Sequence, residues 1–235
     1  MKRFGKDLKN KILVTGASGF IGSRLVQKLK ADGHTVIGMR KHDLFPTHAV
    51  DVVYHLGAHT KVSESMKNPR LAMENLLSVF YTLEYMFEKG VKKLINASSM
   101  EVAGLKNPYG GAKLAGEDLV TSFCHAYGIG AVSTRFANVY GPDDRGKRLI
   151  PTVIEKAKNG EDIEIYGDGG SYVYVDECID FYVRAQALIE PGEHIIQEIG
   201  GDTQTLVAVA EEIVDILKSS SKIKIKEGLK KCIKN

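Results

Sequence analysis

The chain has 235 residues, which is enough for one substantial hydrophobic core and a small additional domain. Its residues are 43% hydrophobic and 26% charged, as in soluble globular proteins, and the net charge of +3 is too small to indicate a nucleic-acid partner. No apolar run is long enough to cross a membrane, and the opening residues lead into a glycine-rich stretch rather than a signal sequence. We therefore expect a cytoplasmic protein without a membrane or nucleic-acid partner.

The cysteines and histidines also fit a cytosolic protein, and they indicate no metal site. Cys124, Cys178 and Cys232 lie far apart and form no C-x-x-C pair, which is typical of reduced thiols in a cytosolic protein. The seven histidines show no metal-ligand spacing, so we expect no metal site.

The stretch from Lys11 to Gly22 carries the first functional signal. An apolar run predicts a buried strand, glycines follow at Gly16, Gly19 and Gly22, and an amphipathic helix is predicted from Ser23 to Asp32. Strand, glycine turn and helix form the context of a dinucleotide-binding fingerprint. The glycines permit a tight turn and close backbone approach to pyrophosphate, and the helix N-terminus attracts phosphate.

A second strand is predicted at Thr35–Gly38, and two cations, Arg40 and Lys41, follow it. An acidic residue at this place would bind both ribose hydroxyls and favour NAD. Arginine can instead pair bidentately with a 2′-phosphate, so the sequence favours NADP. The alternative is that Arg40 stacks on adenine or faces water.

Further strands and helices alternate along the chain. The predicted elements are a strand at Asp51–Ala58, a helix at Pro69–Lys89, a strand at Val91–Ala97 and a helix at Tyr109–Tyr127. This alternation predicts an α/β fold with a doubly wound parallel sheet, in which ligands bind beyond the carboxyl ends of the strands. Gly16, Ala58 and Ser99 would lie on that edge.

The sharpest chemical signal is Tyr109-Gly-Gly-Ala-Lys113. A tyrosine and a lysine four residues apart share one helix face, and a nearby ammonium favours the phenolate. Such a tyrosine can exchange a proton with a substrate hydroxyl during hydride transfer, and Ser99 can hydrogen-bond the same oxygen. A core tyrosine beside a surface lysine is the alternative, since the pattern also occurs by chance.

The order of these motifs resembles the extended short-chain dehydrogenase/reductases, the family of nucleotide-sugar epimerases and dehydratases. The matching stretches are T-G-A-S-G-F-I-G at 15–22, L-G-A at 56–58, S-S-M-E-V at 98–102, Y-G-G-A-K-L-A-G-E at 109–117, R-F-A-N-V-Y-G-P at 135–142, I-Y-G-D-G at 165–169 and Y-V-D at 174–176. They run through most of the chain.

The resemblance implies roles for individual residues. Catalysis would use Ser99, Tyr109, Lys113 and Glu101. Cofactor contacts would come from Gly16, Ser18, Gly19, Phe20, Ile21, Gly22, Arg40, Asp43, Leu44, Leu56, Gly57, Ala58, Asn75, Ser98, Tyr109, Lys113 and Phe136. Substrate contacts would come from Ser99, Met100, Glu101, Tyr109, Asn138 and Arg145. A Rossmann-type domain of residues 1–142 and 172–190 would carry a small, discontinuous substrate domain of residues 143–171 and 191–235.

Met100 and Glu101 narrow the reaction that the resemblance implies. Dehydratases of this family carry an Asp-Glu pair here, and a thioether cannot protonate a leaving hydroxyl. This favours an epimerase, a decarboxylase or a reductase, with Glu101 either a base or a hydrogen-bond acceptor.

The substrate half departs from the family pattern. Few residues separate Val102 from Tyr109, where the family normally has a long loop on the substrate side. The family's arginine that binds nucleotide phosphate is missing from the stretch before Tyr174. Its role could pass to Arg145, Lys147 or Arg148. Residues 172–189 are predicted to form a strand and helix that return to the main sheet, and Thr205–Leu217 a helix that serves packing.

We hypothesise a nucleotide-sugar epimerase that uses NAD(P) and oxidises a sugar hydroxyl transiently. The alternatives are an NADPH-dependent reductase or decarboxylase, or a cofactor-binding module with little activity. The two long predicted helices, Pro69–Lys89 and Tyr109–Tyr127, could form the four-helix interface of a homodimer, as in the family.

Overall fold

The computed structural model describes residues 9–103, 106–144, 149–166, 169–201 and 203–226. Contacts divide the chain into two compact units. The large unit comprises the chain up to Phe136 together with Asp176–Ile199. The small unit comprises Ala137–Val175 and the chain from Gly200 onward.

Strands and helices alternate through most of this length. The strands are β1 (Lys11–Thr15), β2 (Thr35–Met39), β3 (Val52–His55), β4 (Lys93–Ala97), β5 (Gly130–Phe136), β6 (Asn138–Tyr140), β7 (Ile163–Tyr166), β8 (Gly169–Tyr174), β9 (His194–Ile199), β10 (Thr203–Thr205) and β11 (Ile223–Lys226). The helices are α1 (Phe20–Ala31), α2 (Val62–Lys67), α3 (Arg70–Lys89), α4 (Pro108–Tyr127), α5 (Leu149–Asn159), α6 (Val175–Ala185) and α7 (Leu206–Ile216). Short 3₁₀ turns lie at Met100–Val102 and Gln186–Leu188.

The large unit is built on a six-stranded sheet in the order β2-β1-β3-β4-β5-β9. Every neighbouring pair in it is parallel. The chain leaves β1 first towards β2 and then returns to β3 on the other side, so the order reverses between β1 and β3. Open α/β sheets bind ligands at this switch point, beyond the carboxyl ends of the strands.

Helices α3 and α4 lie side by side in the large unit. Val79, Leu83 and Met86 of α3 recur at helical spacing and join the core, together with Leu13, Leu94 and Val120. A left-handed glycine ends each helix, Gly90 at φ 69° and Gly128 at φ 66°. Both helices are therefore fixed in length by local sequence and in position by core packing.

The small unit has its own strands, helices and core. β6 and β10 flank β8 in a three-stranded sheet, and β7 pairs with β11 in a two-stranded one. Helices α5 and α7 pack together on a core that contains Val153, Ile163, Ile165 and Ala210.

The structure confirms the predicted α/β fold with a parallel, doubly wound sheet. It corrects two details of the predicted domain organisation. The strand before α6 is β8, which pairs with β6 and β10 instead of returning to the main sheet. The strand that completes the main sheet is β9, within the stretch 191–235 that the sequence placed in the small domain. The sequence did not place β9 in the main sheet because its side chains are partly exposed and do not form a continuous apolar run. Its partner β5 also lies far away along the chain.

Candidate active site

The turn between β1 and α1 is shaped by two glycines. Gly16 has φ 69°, and a Cβ there would lie 2.8 Å from the backbone nitrogen of Gly57. A Cβ on Gly22, in the first turn of α1, would collide with the Gly16 carbonyl. The backbones of two strand ends and one helix therefore meet at the switch point with no space for side chains.

The N-terminus of α1 opens onto this turn. Gly19 is the capping residue and supplies no side-chain cap, and Gly19 N donates to Gly16 O at 2.9 Å. Ser18 is exposed, and Phe20 and Ile21 are half-buried around the turn. An uncapped helix N-terminus beside a glycine turn suits a pyrophosphate. These residues therefore fit the dinucleotide that the sequence predicts.

The loop after β3 is held rigidly beside Gly16. Thr15 Oγ1 accepts hydrogen bonds from the backbone nitrogens of Leu56, at 3.1 Å, and Gly57, at 3.0 Å. The buried Asn75 accepts from His59 N at 2.8 Å and donates to His59 O at 2.9 Å. Ala58 lies between these two anchored points, so the small-residue segment keeps a fixed backbone.

His55 lies beneath this loop. Its Nδ1 is 3.0 Å from Thr15 Oγ1 and 2.9 Å from Thr82 Oγ1, and its Nε2 is 3.3 Å from Ser78 Oγ. Burial, aided by the charge of Lys113, lowers the pKa of His55 to about 3. His55 is therefore a neutral, hydrogen-bonded support for Thr15 at neutral pH. No sequence motif marks His55, although it is the polar last residue of the otherwise apolar strand β3.

At the end of β2, Arg40 is exposed and its backbone nitrogen donates to Asp43 Oδ2 at 2.7 Å. Leu44 is 92% exposed. The second cation, Lys41, is 3.4 Å from the carboxylate of Glu74 and 3.2 Å from His59 Nε2. Of the two predicted phosphate ligands, Lys41 already forms an ion pair within the protein.

Tyr109 and Lys113 lie one turn apart on α4, and both are buried. Lys113 Nζ lies 6.0 Å from the centre of the Tyr109 ring and donates to the carbonyl of Ala97, the last residue of β4, at 2.6 Å. Burial lowers the pKa of Lys113 to about 8, and the negative charge of Glu117 opposes this shift. The structure thus places the predicted tyrosine and lysine together at the carboxyl end of the sheet.

The segment after β4 carries the other predicted catalytic groups. Ser99 Oγ accepts a hydrogen bond from Glu101 N at 3.2 Å, and the side chains of Met100 and Glu101 are exposed. Ser98 N donates to Thr134 O at 2.8 Å. The buried Ser98 Oγ has no hydrogen-bond partner within the described residues, which fits a ligand contact.

Asn107 contacts both predicted catalytic segments, although no sequence motif marked it. Its Oδ1 caps α4 by accepting from Gly110 N, and its Nδ2 donates to Glu101 Oε2, both at 2.8 Å. Asparagine before proline is a helix-start signal and could have revealed the cap. The contact with Glu101 has no such signal.

The remaining predicted residues are more dispersed. The Phe136 ring is buried, with its centre 5.2 Å from that of Tyr182. Asn138 lies in the small unit, donates to Ser171 O at 3.2 Å and lines a cavity of about 190 Å³ with Tyr140, Leu149, Tyr172 and Leu206. Arg145 lies outside the described residues.

Within the described chain, no helix is long and apolar enough to cross a membrane.

A family model described as the NAD dependent epimerase/dehydratase family matches residues 12–200. The chain belongs to this family. It is 29% identical over 245 residues to a UDP-glucose 4-epimerase of Mycolicibacterium smegmatis, covering 82% of this chain and 78% of that protein. It is also 29% identical over 269 residues to a UDP-N-acetyl-alpha-D-glucosaminuronate decarboxylase of Bacillus cytotoxicus, covering 92% and 83%.

A solved structure has the same architecture. The UDP-glucose 4-epimerase of Thermotoga maritima, with UDP-glucose, superposes with a TM-score of 0.85 at 27% identity, covering 94% of this chain and 87% of that one. The recognised resemblance and the Rossmann-type fold are confirmed. The relatives catalyse different reactions, so membership of the family leaves the reaction of this chain open.

Proposed function

We propose that the protein is a nucleotide-sugar epimerase that oxidises a sugar hydroxyl transiently and reduces the ketone from the opposite face. The observation that carries this proposal is the buried pair of Tyr109 and Lys113 at the carboxyl end of β4. A dinucleotide, when bound, would supply the acceptor and donor of hydride.

The protein's side chains would transfer the proton and orient the sugar and the dinucleotide. The Tyr109 hydroxyl exchanges a proton with the sugar oxygen, and the Lys113 ammonium favours the phenolate that forms. The Ser99 hydroxyl hydrogen-bonds the same oxygen. The turn at Gly16, Gly19 and Gly22 and the 56–58 loop would hold the dinucleotide.

The pair of Met100 and Glu101 supports epimerisation over dehydration. A dehydratase needs an acid for the leaving hydroxyl and a base for the neighbouring carbon, and the thioether of Met100 cannot protonate a leaving group. Glu101 would accept a hydrogen bond or a proton from the substrate. A decarboxylase also fits a single carboxylate, and one similar protein is named a decarboxylase.

The proposed substrate is a sugar joined to a nucleotide. Similar proteins are named for UDP-sugars, and the cavity that Asn138 lines has apolar and tyrosine walls suited to a flat base. Asn138 would contact the diphosphate. Arg145 would bind a phosphate of the nucleotide, and this assignment is based on the sequence.

We further infer a preference for NADP, because Arg40 follows β2 where an acidic residue would favour NAD. An NADPH-dependent reductase is the second candidate, and Arg40 is the observation that favours it. A reductase consumes one NADPH per product, whereas an epimerase turns over without added reductant.

A homodimer is the proposed assembly. Met73, Leu77, Phe80 and Tyr81 recur at helical spacing on α3, and each exposes more than a third of its surface. A stripe of this kind suits the packing of α3 and α4 against a second copy.

The proposed location is the cytoplasm. The buried free thiols of Cys124 and Cys178 suit its reducing environment.

The deciding experiment is Tyr109→Phe, with Tyr127→Phe at the exposed end of the same helix as its control. UDP-glucose and UDP-glucuronic acid serve as probes, and products are followed by NMR with and without NADPH. We expect Tyr109→Phe to lower turnover at least about a hundredfold and the control to retain it. Unchanged turnover in Tyr109→Phe would overturn the proposal.

A further inference from the structure

Asn107 makes two contacts that join the two catalytic segments of the large unit. Its Oδ1 accepts a hydrogen bond from Gly110 N at 2.8 Å, in the first turn of α4. Its Nδ2 donates to Glu101 Oε2, also at 2.8 Å. One short side chain therefore caps the helix that carries Tyr109 and holds the carboxylate that follows Ser99.

The backbones of the two segments are also in contact. A Cβ on Gly110 would collide with the carbonyl oxygen of Glu101, so the 3₁₀ turn and α4 touch directly there. Glu101 N also donates to Ser99 Oγ at 3.2 Å. Glu101 is thus held by hydrogen bonds through its amide and its carboxylate, although its side chain is exposed.

An exposed glutamate on a short turn would otherwise lose considerable rotamer entropy when it meets a substrate. A hydrogen bond from the capping side chain removes much of that freedom beforehand, because this side chain is itself held by the hydrogen bond from Gly110 N. The amide donates to Oε2 without competing for a proton, so the carboxylate keeps its capacity to accept one from a ligand.

We propose that Asn107 is a positioning residue that orients the Glu101 carboxylate toward the sugar while it caps the Tyr109 helix. This inference rests on the proposed function, because it requires Glu101 to face the substrate. In this arrangement the helix cap sets the relative orientation of Tyr109 and Glu101, which no sequence motif indicated.

The test separates capping from positioning. Serine caps helices about as well as asparagine, so Asn107→Ser keeps the cap but cannot reach Glu101. We expect Asn107→Ser to retain the melting temperature and the KM for dinucleotide. Its kcat should fall about tenfold to a hundredfold, because the carboxylate loses its fixed orientation.

A double-mutant cycle with Glu101→Gln gives the decisive comparison. Positioning through Glu101 predicts that Asn107→Ser lowers kcat in the parent but has little further effect in Glu101→Gln. An equal loss in both backgrounds, or a parental kcat in either single variant, would overturn the inference.

A readout without turnover completes the test. The side-chain amide NMR signals of Asn107 should differ between the parent and Glu101→Gln, because the variant lacks the carboxylate that accepts the hydrogen bond from Nδ2. Identical amide signals in both proteins would overturn the contact itself. Parental turnover in Tyr109→Phe, or no turnover of any nucleotide sugar by the parent, would instead overturn the proposed function.

Discussion

Arg135 holds the buried carboxylate of Glu117 through two hydrogen bonds, from Nε at 2.9 Å and from Nη2 at 2.6 Å. Glu117 is 1% exposed and lies one turn beyond Lys113 on α4. Arg135 Nη1 also donates to the exposed Glu198 at 2.8 Å. The carboxylate of Glu117 is thus fixed by a partner on β5, one helical turn from Lys113.

This arrangement predicts the alkaline limit of activity. The pKa of Lys113 is about 8, so its ammonium is present below that pH and is lost above it, and kcat should fall as the pH rises through about 8. Glu117→Gln removes a charge that raises this pKa, so the alkaline limb should move to lower pH.

Glu198→Gln is the matched control for that experiment, because it removes the exposed partner of Arg135 and leaves Glu117 in place. We expect its pH–rate profile to match that of the parent. A limb at the same pH in Glu117→Gln and Glu198→Gln would show that Lys113 does not govern it.

Acid stability should depend on His55. Its pKa is about 3 in the folded protein, below the unperturbed value of about 6.5, so the unfolded chain binds more protons between these pH values. The free energy of unfolding should therefore fall as the pH drops through this window, by up to about 1.4 kcal/mol per pH unit from this group. Urea denaturation at several pH values measures the slope.

His55→Asn removes the titrating group, so its stability should depend less steeply on pH between about 6.5 and 3. The exposed His48, replaced as His48→Asn, serves as the control and should keep the parental slope. Equal slopes in all three proteins would contradict a buried neutral His55.

The glycine turn predicts a specific loss of dinucleotide binding. In Gly22→Ala the new methyl group collides with the Gly16 carbonyl, so the turn between β1 and α1 must move. We expect the Kd for NADH or NADPH, measured by fluorescence, to rise at least about tenfold.

Gly111→Ala provides the comparison, since a Cβ there meets no atom of the described residues within 4 Å and Gly111 lies inside α4. It should stabilise the protein by about 0.4–1 kcal/mol and keep the parental Kd. Similar affinities in Gly22→Ala and the parent would exclude this turn as the binding site.

Coenzyme preference should follow Arg40. Arg40→Asp replaces a cation that can pair with a 2′-phosphate by a carboxylate that repels it and suits ribose hydroxyls. We expect the ratio of Kd for NADP to Kd for NAD to rise at least about tenfold. Lys41→Ala is the control, because Lys41 is paired with Glu74, and its ratio should change less. An unchanged ratio in Arg40→Asp would contradict the NADP preference.

The apolar stripe on α3 predicts the assembly. Tyr81 is 50% exposed, so Tyr81→Glu should leave the fold intact but place a charge in the proposed dimer interface. Analytical ultracentrifugation should show a dimer for the parent and a monomer for this variant. Ile216→Glu, on the exposed side of α7, should remain dimeric, and a monomeric parent would refute the assembly.

Local patterns in the sequence were sufficient for much of the fold. The glycine turn, the helix stop at Gly90 and the pair of Tyr109 and Lys113 each depend on residues within one or two turns of each other, so spacing alone predicts them. The structure adds contacts between distant segments, such as β9 with β5 and Arg135 with Glu117.

Such pairings could not be predicted because each partner, taken alone, resembles an ordinary surface residue or a weak strand. The same applies to Asn107 and Glu101, which meet only when α4 packs against the preceding 3₁₀ turn. Side-chain partners across elements depend on packing, which periodicity does not encode.

The position of β9 has a consequence for how the polypeptide is made. β5 is buried along most of its length, yet its outer hydrogen-bonding edge is covered only when His194–Ile199 has been added. A ribosome must therefore translate the chain up to residue 199 before β9 can join the main sheet. Any transcript truncated before that point would yield a product with a bare, aggregation-prone edge.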